Sequence, residues 1–101
     1  MKIAIASVNK NEDSQISSRG GRAPYYLIFN EKRELLETIS NPFGTGGGGA
    51  GVGVAKMLAD KNVNIVIAGV IGDKMADALS ERNVKFHESQ QNITEALDSL
   101  L

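Results

Sequence analysis

Two short stretches of this 101-residue chain have the residue types and spacing to hold an anion. Arg19-Gly-Gly-Arg22 sets two guanidiniums three residues apart on a glycine-softened loop, and arginines grip anions through charge-assisted hydrogen bonds. The second stretch, Gly44 to Gly53, puts seven glycines into ten positions ahead of a helical pattern. Backbone N–H groups without side chains around them, at a helix N-terminus carrying roughly half a positive charge, offer donors to an anion. Ordering glycine costs about 0.5–1 kcal/mol per residue in conformational entropy. The run is therefore expected to order over a ligand, with Gly46, Gly47, Gly48, Gly49 and Gly51 as donors beside Arg19, Gly21 and Arg22. The plainer alternative is a flexible segment that lets the chain reach the helix, with two solvated arginines elsewhere.

Gly44-Thr-Gly-Gly-Gly-Gly49 also fits G-x-G-x-x-G, but so glycine-rich a stretch fits that pattern in more than one register. Its setting argues against a nucleotide. The preceding strand pattern is a polar-spotted hairpin arm, and the next strand ends Ile67-Ala-Gly-Val70 with no carboxylate for a ribose. Gly53-Val-Ala-Lys56 stands where a phosphate-binding loop needs Gly-Lys-Ser/Thr. Other chemistry is sparse. The chain has no cysteine, so it supplies no thiolate nucleophile, disulfide or cysteine-held metal. His87 is its single histidine and is read as a surface or packed residue; Glu12-Asp13 and the glutamates from 31 to 37 are read as solvated charges. The apolar strand patterns at 3–8 and 65–68 carry no carboxylate on which to root a metal pair. No metal ligand set and no catalytic residue is predicted: this is the sequence of a binder.

The elements that must position these stretches follow from periodicity. Residues 2–8 are apolar and β-branched with alanines between, as in a strand covered on both faces. Residues 9–18 are a polar surface loop with Ile16 as its apolar exception. Strands at 25–29 and 35–39 form a hairpin about the polar turn 30–34. A helix follows the glycine run, closing at Asp60-Lys-Asn62; a short strand at 65–68, a second helix carrying Met75, Ala76 and Leu79, a strand at 84–87 and a third helix from Ile93 complete the chain. Ile93, Leu97, Leu100 and Leu101 are expected to point inward. The predicted fold is α/β: a mixed five-stranded sheet, antiparallel hairpin plus parallel strands, flanked by three helices. No internal repeat is evident. One domain, 1–101, accounts for the length.

Eleven basic against twelve acidic side chains, net charge −1, give no long-range attraction to nucleic acid or an anionic membrane. The apolar run after Met1 is too short for an export signal or a membrane span, so a cytoplasmic location is expected, and Asn92-Ile-Thr94 is a chance glycosylation match.

Taken in order, Met1-Lys-Ile-Ala-Ile-Ala-Ser7, Ser18-Arg-Gly-Gly-Arg-Ala-Pro-Tyr-Tyr26, Asn41-Pro, Gly48-Gly-Ala-Gly51 and Val66-Ile-Ala-Gly-Val-Ile-Gly72 resemble the dinitrogenase iron–molybdenum cofactor biosynthesis family along essentially the whole chain. The resemblance implies a ribonuclease H-like fold without nuclease activity. It further implies a small non-enzymatic carrier for an anionic metal–sulfur cluster, either the iron–molybdenum cofactor or its precursor, or a molybdenum–copper sulfide cluster as in the orange protein. Partners would be cluster-donor or cluster-acceptor proteins, with the carrier a monomer or weak dimer. Nitrogenase-cofactor carriers have a His-Phe-Gly, whose histidine is a candidate metal ligand, where this chain has Arg19-Gly20-Gly21. A guanidinium stays protonated and has no lone pair to give, which leaves holding through hydrogen bonds. The alternative function is a regulatory or scaffold module that binds a protein partner and no cluster.

Overall fold

Successive residues of a strand point to opposite faces, so Ile3-Ala-Ile-Ala6 sends isoleucine to one side of its sheet and alanine to the other. A computed structural model, which describes residues 1–44 and 48–101, places this segment at the centre. Its strands are β1 (Lys2–Ser7), β2 (Tyr25–Asn30), β3 (Leu35–Ser40), β4 (Ile65–Ala68) and β5 (Lys85–Glu88); its helices are α1 (Ala50–Asp60), α2 (Asp73–Glu81) and α3 (Ile93–Leu100). The sheet order is β3-β2-β1-β4-β5. β1 pairs antiparallel with β2 and parallel with β4, β2 pairs antiparallel with β3, and β4 pairs parallel with β5. The mixed sheet expected from the sequence is the one observed.

Two apolar layers follow from the alternation. Ala4 and Ala6 join Tyr26, Ile28, Val66 and Ala68 beneath α1 and α2, which contribute Val54, Ala55, Leu58, Met75, Ala78 and Leu79. Ile3 and Ile5 join Leu27, Phe29, Ile65 and Ile67 on the opposite face, covered by Ile93, Ala96 and Leu97 of α3. Within β1, alanine lies under the two-helix face and isoleucine under the single helix.

α1 and α2 end alike. Leu58-Ala-Asp-Lys-Asn-Val63 and Leu79-Ser-Glu-Arg-Asn-Val84 each place an asparagine in the left-handed region, φ 63° at Asn62 and 59° at Asn83. The following valine N–H then returns to the leucine carbonyl, at 3.2 Å from Val63 and 2.9 Å from Val84. α3 begins on a reciprocal cap in which Asn92 accepts from the Glu95 N–H and the Glu95 carboxylate accepts from the Asn92 N–H.

Some boundaries differ from expectation: β2, β3 and β5 each run one residue further, to Asn30, Ser40 and Glu88. Val8 lies beyond β1 and is exposed. β5 begins at Lys85, because Val84 is taken up by the helix-closing turn. Leu101 is exposed instead of inward: 93, 96, 97 and 100 share the buried face of a 3.6-residue helix, and residue 101 falls a further 100° round. Leu58 is fully buried between α1 and the sheet. Leu58→Ala is expected to destabilise the fold by about 2–5 kcal/mol, read as a lowered midpoint in urea denaturation.

Candidate functional site

The chain leaving β1 folds straight back on it. Val8 N–H donates to the Gln15 carbonyl at 3.2 Å and Ser17 N–H to the Ala6 carbonyl at 2.9 Å, so residues 15–17 cross the end of the strand. The segment then runs parallel to the chain leaving β4, with Gly69 N–H donating to the Ser17 carbonyl at 2.8 Å and Gly20 N–H to the Val70 carbonyl at 2.9 Å. From the far side, the Glu88 carboxylate accepts from Ile71 N–H at 2.8 Å and the Gln90 side chain donates to the Gly69 carbonyl at 3.0 Å. Two loops at the carboxyl ends of parallel strands are thereby locked together, the end of such a sheet where ligands gather.

Beside this join lies a cleft of about 440 Å³, walled by Arg19, Gly20, Gly21 and Arg22 on one side and by the first turns of α1 and α2 on the others. Ala50 and Gly51 come from α1; Gly72, Asp73, Lys74 and Met75 come from the start of α2, and Val70 stands half exposed at the rim. Neither helix has a side-chain cap at its N-terminus, where Gly49 (φ 82°) and Gly72 are the cap residues. First-turn N–H groups have no partner within their own helix, so two donor-rich, positively polarised ends open on one cleft. Close approach makes the walls. A Cβ on Gly21 would sit 2.9 Å from the Gly51 nitrogen, and one on Gly51 would sit 2.8 Å from the Met75 Cβ.

Charge in the cleft is mostly positive. Arg19, Arg22 and Lys74 face one carboxylate, Asp73. Arg22 donates to the Phe43 carbonyl at 3.3 Å, which holds its side chain against the chain entering the glycine run. Among the described residues, the Arg19 guanidinium and Lys74 ammonium make no hydrogen bond or salt bridge. The loop itself is pinned from below. Tyr26 is fully buried and its hydroxyl donates to the Gly20 carbonyl at 2.6 Å, while the Asn41 side chain donates to the Gly21 and Ala23 carbonyls at 3.2 and 2.9 Å. Burial pushes the Tyr26 hydroxyl far above its ordinary range.

Arg19, Gly21, Arg22 and Gly51 of the sequence-predicted set are thus brought together. Gly48 and Gly49 are exposed just ahead of α1 and do not line the cleft. Gly46 and Gly47, and with them the expected ordering of the loop over a ligand, lie outside the described residues. His87 is exposed on β5 and lines a separate cleft of about 250 Å³ against α3. Among the described residues no three His, Asp or Glu side chains are grouped to hold a metal ion, and no helix is long and apolar enough to cross a membrane.

Sequence reasoning missed the α2 wall. The signal was available: the two helices share a Leu-x-x-x-Asn-Val ending, and each has glycine at its start, Gly51 as the second residue of α1 and Gly72 just ahead of α2. It missed Tyr26 as well, since alternation assigns that residue a face but not a partner for its hydroxyl.

Two substitutions test this construction. Tyr26→Phe leaves the Gly20 carbonyl buried without its donor and is expected to cost about 1–3 kcal/mol. A raised tyrosine contributes stability that is complete below the unfolded value of about 10 and is lost as pH rises above it. Stability curves above pH 10 should therefore fall less steeply in Tyr26→Phe than in the parent. Gly51→Ala, which drives a methyl into Met75, is expected to cost about 1–3 kcal/mol in thermal or urea denaturation.

The sequence pattern of the family described as dinitrogenase iron-molybdenum cofactor matches residues 1–101. The apo orange protein of Desulfovibrio gigas superposes with a TM-score of 0.90 at 22% identity, over 98% of this chain and 85% of its own. A Thermotoga NifB candidate of the DUF35 family superposes with a TM-score of 0.81 at 30% identity, again over 98% of this chain and 85% of its own. No curated protein is significantly similar in sequence.

Proposed function

The chain belongs to the dinitrogenase iron-molybdenum cofactor family, and from that premise we propose that it is a non-enzymatic carrier holding an anionic metal–sulfur cluster in the cleft between Arg19–Arg22 and the mouths of α1 and α2. The observation that carries this reading is the convergence of two uncapped helix N-termini with Arg19, Arg22 and Lys74 on one cleft. Each is a donor or a positive charge with no lone pair to give, so these groups hold the cluster by hydrogen bonds and field. Val70, Met75 and the glycine Cα–H groups supply an apolar lining that suits a sulfide-rich surface better than a strongly hydrated oxyanion.

The cluster is iron–molybdenum-cofactor-like or a molybdenum–copper sulfide, received from one protein and passed to another in the cytoplasm. The domain 1–101 acts as a unit in this role. A ribonuclease H-like assignment belongs to the same proposal, supported by the mixed sheet with β1 at its centre. The competing regulatory or scaffold module would leave the cleft without a cluster.

Reconstitution distinguishes them. Purified protein mixed with tetrathiomolybdate and copper(I), or with isolated iron–molybdenum cofactor, is expected to give a saturable absorbance change and co-elution of metal. Arg19→Ala and Arg22→Ala should each weaken that binding about tenfold, the size expected for a lost charge-assisted hydrogen bond. No uptake of either cluster would sink the carrier reading and favour the protein-binding module; uptake indifferent to both substitutions would move the site elsewhere.

A further inference from the structure

Asp73 is out of place in a cleft for an anion. It lines the same cleft as Arg19, Arg22 and Lys74, is exposed, and among the described residues forms no salt bridge with any of them. A carboxylate in the first turn of α2 interacts favourably with that helix's dipole, which accounts for its presence in an isolated helix. In this fold the same turn is a cleft wall, and the carboxylate there acts twice on a bound anion: it repels the anion directly, and it offsets the positive end of α2 that would otherwise attract it.

We propose that Asp73 is a specificity residue that limits how much negative charge the cleft retains, and so keeps its cargo exchangeable. The inference rests on the anion-site reading of this cleft. Repulsion by one fixed charge scales with the charge of the ligand, so a residue of this kind penalises a dianion twice as heavily, in free energy, as a monoanion. A carrier benefits from that property, because a cluster gripped by three cations and two helix mouths without opposition would be slow to leave. A residue that merely stabilises the helix would alter affinity for every anion by the same factor, or not at all.

The test uses the full chain and two probes, the tetrathiomolybdate dianion followed by absorbance and the thiocyanate monoanion followed by the amide resonances of Gly51 and Lys74. Asp73→Asn is expected to tighten thiocyanate binding about threefold and tetrathiomolybdate binding about tenfold, the second factor near the square of the first. Asp73→Glu should restore the parent affinities for both. Equal factors for the two anions, or parent-like binding by Asp73→Asn, would overturn the inference and leave the anion site standing. If neither the parent protein nor Asp73→Asn binds either anion, the site falls and this role of Asp73 falls with it. Thermal melts of the variants verify that each is folded.

Discussion

The two backbone hydrogen bonds from Gly69 to Ser17 and from Gly20 to Val70 hold the site together. They carry the parallel pairing of β1 and β4 beyond the ends of those strands into the loops that follow. Because a parallel pair points both chains the same way, the loop bearing Arg19 and the loop leading to α2 must emerge side by side. The cleft then depends on what each loop can bring close. Glycine at 20, 21 and 51 removes the side chains that would hold the walls apart, and Gly69 lets the two loops touch, since a Cβ there would lie 2.7 Å from the Ser18 Cα.

The hairpin half of the chain serves the helical half. β2 contributes Tyr26, whose ring belongs to the α1/α2 layer and whose hydroxyl reaches past the sheet to Gly20. The end of β3 contributes Asn41, whose amide binds two carbonyls of the Arg19–Ala23 segment while its oxygen accepts from Phe43 N–H. Buried polar groups of this kind fix a loop well because leaving any of them unpaired is expensive. The loop is accordingly positioned by the sheet, which is the condition for a binding site with a defined shape.

Much of this was legible in the sequence because it is written in periodicity. Apolar runs marked β1 and β4, β-rich segments either side of a polar turn marked β2 and β3, and helical spacing marked α1 and α2. Arg19, Arg22 and the glycines were visible as chemistry because guanidinium and bare backbone have few other reasons to be concentrated. Lys74 and Asp73 were not, since a lysine and an aspartate in a first helical turn look like ordinary surface; only the packing of α2 against α1 turns them toward a cleft. Leu101 shows the opposite failure, an apolar residue that helical phase carries away from the core. Gly48 and Gly49 show that a conspicuous motif need not sit where the cavity is.

The cleft is assembled from segments near residues 20, 50 and 72, which no local piece of chain can bring together. It exists only after the chain has closed the long loop that sets β4 beside β1. A ligand of this cleft therefore meets the finished fold and has no such site in the unfolded chain. Binding there would act as a thermodynamic clamp on the whole molecule, and occupancy would be readable from outside as a shift in melting temperature that grows with ligand concentration.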